Sequence, residues 1–130
     1  MWMSHRPRKE MFNKVGIVVS TAAGAGSKRV VKSIEKQMLW WGIPKVYSMP
    51  VNVSAMKWED VSNKNKEKIT NNINAITQNI KSKIGNIKPG VKTKALFNIM
   101  RKMHTGNNWN LTDRDYWKNN DWLESARPWR

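Results

Sequence analysis

The chain has 130 residues, and its 24 Lys and Arg against 9 Asp and Glu leave a net charge of +15. It contains no cysteine, which excludes a disulfide framework, a thiolate zinc site and a cysteine nucleophile. With 25% charged and 39% apolar residues, the chain reads as globular, either one small domain or part of a larger one.

Residues 1–13 read as a polar, basic lead-in, extended or looped around Pro7. They lack the apolar stretch of a secretory signal. The longest uncharged run, Val15 to Ser27, is interrupted by Gly and Ser. It falls short of the roughly 20 apolar residues a membrane span needs. A cytoplasmic protein with no membrane partner is the expectation.

Lys14 to Ser20 is nearly continuous in β-branched residues, as expected of a strand buried on both faces in a parallel sheet. Thr21 to Gly26 is a turn made only of small residues. From Ser27 to Trp41 the apolar residues Val30, Val31, Ile34, Met38 and Trp41 share one helical face. Ser27 suits the N-cap, Gly42 suits the residue after the helix, and Pro44 forbids its continuation. Lys45 to Val53 is a second strand, with Pro50 near its end. The spacing predicts a long helix over Trp58 to Ile84, ended by Gly85 and Pro89, and a short one over Lys94 to Met103. His104 to Arg130 reads as an aromatic-rich tail. Its tryptophans either staple the tail to the domain or stack on nucleic-acid bases. Its acids, Asp113, Asp115, Asp121 and Glu124, read as solvated or paired with Arg114 and Arg127. Two parallel strands are fewer than the three or more of a self-sufficient sheet. The chain is therefore expected to be part of a larger α/β domain, or a protomer that needs a partner.

The small-residue loop is the leading site candidate. In open α/β sheets, ligands bind beyond the carboxyl ends of the strands. Ser20, Thr21, Ala22, Ala23, Gly24, Ala25 and Gly26 would let a flat ring or an anion approach the backbone closely. Helix N–H groups, Lys28 and Arg29 would favour negative charge there. The alternative is a tight turn that only packs helix on strand. Neither nucleotide motif is present: Ser27 and Lys28 follow Gly26 in the wrong order for a P-loop, and Arg29 stands at the third glycine position of GxGxxG. His5 and His104 lack metal-ligand spacing, and no serine has a hydrolase-elbow context. The positive charge admits a basic nucleic-acid-binding module, whose affinity would fall steeply with salt. The favoured reading is a solvated surface of a chain rich in Lys and Asn.

Four segments occur in a telling order: SHRP at Ser4 to Pro7, KVGIVVSTAAGAG at Lys14 to Gly26, WGIPKVY at Trp41 to Tyr47, and DRDYWKNNDWLE at Asp113 to Glu124. Together with KTKALFNIMRKM at Lys92 to Met103, they resemble the C-terminal half of the flavodoxin-like NAD(P)H-dependent FMN reductases. The resemblance implies a parallel sheet between helices, of which Lys14 to Ser20 and Lys45 to Met49 would be the fourth and fifth strands. It implies FMN as cofactor, NAD(P)H as electron donor and a small-molecule electron acceptor. Ser20 to Gly26 would lie beside the flavin ring, with His5 bordering the same site. The family's first three strands have no counterpart in the sequence. The expected partner is therefore a complementary N-terminal half or another copy of the chain. A catalytically silent fragment is the remaining alternative.

Overall fold

A computed structural model describes residues 5–130. It is a mixed α/β structure with a two-stranded parallel sheet and four helices among the described residues. A short 3-10 turn, Lys9–Asn13, leads into β1 (Val15–Ala22), α1 (Ser27–Trp40) and β2 (Lys45–Asn52). The remainder is helical: α2 (Asn63–Lys81), α3 (Val91–Thr105) and α4 (Leu111–Asn119). The strands pair in register from Val15 opposite Lys45 to Ala22 opposite Asn52.

The strand period places alternate residues on opposite faces of the sheet. Gly16 and Val18 are buried on the face that meets α1. Ser48, which pairs with Val18, donates a hydrogen bond to Glu35 of α1. On the other face, the Tyr47 hydroxyl reaches the backbone oxygen of Asn79 in α2. Helix α2 therefore lies over β2 rather than β1. This corrects the expectation of a strand buried on both faces. Ile17 is 50% exposed and Val19 is 52% exposed, because α2 only borders this face: Ile17 opens into a hollow shared with Ile80 and Ile84. The apolar side of α2 is also only partly covered: Ile73 is exposed, as is Ile84 in the turn that follows the helix. A β-branched run signals what a strand can bury, not whether the chain supplies the cover.

The aromatics of the C-terminal region pack onto the domain, as the staple reading expects, and they supply part of its central cluster. Phe12, Phe97, Met100, Trp117 and Trp122 form a buried cluster, with Trp40, Tyr116 and Trp129 packed around it. Ring pairs cross edge to face, as between Phe97 and Trp122 at 5.6 Å, the arrangement that aromatic quadrupoles favour. The lead-in is held to this cluster through Phe12 and the buried Pro7.

Helix α1 ends where the sequence places its stop. Gly42 has φ of +98°, and a Cβ there would lie 2.8 Å from the Phe12 ring. Gly42→Ala therefore combines backbone strain with overpacking, an expected loss of about 2–4 kcal/mol in urea unfolding. Gly26→Ala is the control. Its φ is +102°, but nothing lies within 4 Å of the added Cβ, so only the strain of about 1 kcal/mol should appear.

Candidate functional site

The loop after β1 has a fixed base and an open rim. Parallel pairing runs to the end of both strands and then continues as a turn. The Val53 N–H donates to the Ala22 oxygen at 2.9 Å, and the Ser54 N–H donates to the Ala23 oxygen at 2.7 Å. Ser54 adopts φ of +51° to make that turn. Ser27, buried at the start of α1, donates through Oγ to Asn52 Oδ1 at 2.7 Å. Ser27 is thus the first helical residue and a tether to β2, while Gly26 takes the N-cap position in the left-handed conformation.

Ala23, Gly24, Ala25 and Gly26 are exposed. A Cβ built on Gly24 or Gly26 meets nothing within 4 Å. The unpaired N–H groups of the first turn of α1 belong to this rim and carry its positive partial charge. Lys28, Arg29, Lys32 and Lys36 continue along the exposed side of the same helix and line a shallow hollow with Ser33. The rim can therefore admit a planar or anionic group against bare backbone. Ser20 and Thr21 stand within the last turn of the pleat, Ser20 half-buried and Thr21 exposed, on opposite faces of β1.

The structure brings Ser20 to Gly26 together and leaves His5 apart from them. The His5 ring packs edge-on against Trp40, the last residue of α1, at 5.0 Å. Ser27 begins that helix, so about 20 Å of helical rise separates His5 from the loop. Two other contacts explain its position. Trp117 Nε1 donates to the His5 oxygen at 2.7 Å, and the Tyr116 hydroxyl donates to the Pro7 oxygen at 2.6 Å. Burial raises the Tyr116 pKa above its usual value.

Asp113 departs from the expectation of a solvated acid or one paired with Arg114 or Arg127. It is fully buried, not solvated, and it accepts a charge-assisted hydrogen bond from Arg6. Its other oxygen accepts from Asn110 Nδ2 at 2.9 Å, and its own N–H donates to Asn110 Oδ1 at 3.1 Å. Asn110 is the N-cap of α4 and Asp113 stands three residues on, the spacing of a reciprocal cap. That spacing is visible in the sequence, although the partner 107 residues away is not. The polar tether from Ser27 to Asn52 carries no sequence signal. Among the described residues, no group of three His, Asp or Glu is arranged to hold a metal ion, and no helix is long and apolar enough to cross a membrane. No family model, curated protein or solved structure matches this chain.

Proposed function

We propose that this chain is the C-terminal part of a flavodoxin-like, NAD(P)H-dependent FMN oxidoreductase, completed by an N-terminal half that supplies the remaining strands. The observation that carries the reading is the parallel β1–α1–β2 unit whose bulk-free loop, Thr21 to Gly26, opens at the carboxyl ends of both strands. The half-exposed Ile17 and Val19 beside the unpaired flank of β1 support the need for the N-terminal half. The loop suits FMN in part. Its rim has room for the edge of the isoalloxazine, and its N–H groups can donate to the ring's polar atoms. The described loop offers no cradle for the phosphate, which the N-terminal half would have to provide. When bound, FMN supplies the hydride chemistry. The residues of this chain position the ring, exclude side-chain bulk from its edge and present positive charge through Lys28 and Arg29.

Full-length chain should quench FMN fluorescence when mixed with the N-terminal half of a flavodoxin-like reductase, and only weakly alone. Gly24→Val should weaken that binding at least tenfold with no change in unfolding midpoint, because the added side chain meets open space in the protein itself. Failure to bind flavin both alone and with the supplied half rejects the reading. A second reading, a polyanion-binding surface, is favoured by the cations Lys28, Arg29, Lys32 and Lys36 on one side of α1. Binding to duplex DNA that falls steeply with salt, without flavin binding, is the outcome that selects it.

A further inference from the structure

A polar cluster that the flavin reading does not use lies next to Trp117. His5, His104, Asn107 and Asp113 are all buried. Both imidazoles pack on Trp117, His5 at 5.5 Å and His104 at 5.2 Å between ring centroids.

Asn107 sets the protonation of His104. Asn107 Oδ1 accepts from the N–H groups of Trp109 and Asn110 at 3.1 and 2.9 Å. The other end of that amide must then be the NH2 group. It donates to the Asn110 oxygen at 3.2 Å and to His104 Nδ1 at 3.3 Å. His104 Nδ1 is thus an acceptor, and the neutral ring carries its proton on Nε2, which is buried with no protein partner. A second proton on His104 would set an N–H against the Asn107 NH2 group, donor against donor. His5 is no better placed to hold a second proton. Its Nδ1 is buried with no protein partner, so a charged ring would leave an N–H there unpaired.

We propose that His5 and His104 form an acid-released latch, which holds the His5–Pro7 strap against α4 while both rings are neutral and ejects it when they are protonated. The strap is fastened by Arg6 on Asp113, by Trp117 on the His5 oxygen and by Tyr116 on the Pro7 oxygen. The Arg8 N–H also donates to the Trp41 oxygen at 3.4 Å. Protonating His104 disturbs Asn107, whose bonds shape the turn into Asn110. Asn110 in turn caps α4 and holds Asp113, the anchor of the strap.

The surrounding charges do not reverse this. The strap carries Arg6, with Arg8 and Glu10 beyond it. Helix α3 carries Arg101 and Lys102, and α4 carries Asp113, Arg114, Asp115 and Lys118. Helix α1 presents Trp40, with Lys36 one turn earlier. Asp113 favours the charged imidazoles, but it is already shared by Arg6 and Asn110. Burial outweighs it, aided at His5 by the neighbouring His104, and lowers the His5 pKa to about 4. Burial also lowers the His104 pKa. The released state then binds protons more readily than the fastened one. The fastening is complete above the free-histidine value of about 6.5 and declines as the pH falls toward and through 4.

Hydrogen exchange of the full chain, with labelling times scaled to the intrinsic rate at each pH, tests this. Between pH 7 and 4.5, the Arg8 amide and the Trp117 indole N–H should lose protection at least tenfold while the amides of β1 keep theirs. His5→Phe preserves ring contact without a titrating group and should move the release to lower pH. His104→Gln, which keeps an acceptor available to Asn107, should do the same. Unchanged protection at pH 4.5 overturns the proposal, as does loss of β1 protection at the same midpoint. So does release of both variants at the wild-type midpoint. Should either variant fail to fold, NMR titration of the wild-type rings decides: two ordinary histidine values near 6.5 overturn the latch.

Discussion

Trp117→Ala is expected to destabilise the chain by about 4 kcal/mol, within the range for truncating a fully enclosed large aromatic. The indole is wholly buried and meets Phe97 at 4.7 Å, His104 at 5.2 Å and Trp122 at 5.6 Å between centroids. Its loss opens a cavity among residues drawn from three separate segments, none of which can collapse alone to fill it. It also leaves the His5 oxygen without its indole donor. Urea denaturation should show the midpoint shift, and near-ultraviolet circular dichroism should lose most of its tryptophan signal even before unfolding. A change below 1 kcal/mol means that the ring is not packed as described.

Arg6→Ala should come next, at about 3 kcal/mol. Removing one member of a buried ion pair leaves the other charge uncompensated, which is dearer than losing the pair outright. Asp113 is 0% exposed, whereas the Arg6 side chain is 42% exposed. The lower end of the usual range applies, since water can enter along the path that Arg6 vacates. The asymmetry gives a sharper check. Arg6→Ala combined with Asp113→Ala removes the stranded carboxylate, so the double variant should be more stable than Arg6→Ala alone. Additive losses in the two single variants would contradict a coupled pair.

The half of the molecule built around the sheet was legible in the sequence. Val15 to Val19, the apolar face of α1, Gly42 with Pro44, and the isoleucine repeat of α2 are local patterns, and local periodicity is what a sequence displays directly. The bounds moved by a few residues where strands lengthened through pairing, as β1 did from Ser20 to Ala22. The aromatic centre was not legible. Helix α4 is short and offers no sustained repeat, so the tryptophans of 104–130 read as a staple on the domain rather than as its centre. Phe12, Phe97 and Trp117 meet only through tertiary contacts that no spacing encodes. Within the candidate site, the small-residue loop was found because Ala and Gly are themselves the signal. His5 was associated with it by resemblance alone, and its partners Trp40 and Trp117 draw it to the far end of α1. Asp113 shows the same lesson from the other side: half of its environment, the cap on Asn110, is local, and the other half arrives from Arg6.

The bare flank of β1 has a colloidal consequence. The strand VGIVVSTA contains no charge and no proline, the usual deterrents to lateral docking between copies. What opposes such docking is the overall charge of +15, a long-range repulsion rather than a local guard. Concentrated salt shortens the reach of that repulsion to a few ångströms without altering the strand. For this chain, then, ionic strength governs how long concentrated samples stay dispersed, and dilute buffer protects them better than brine.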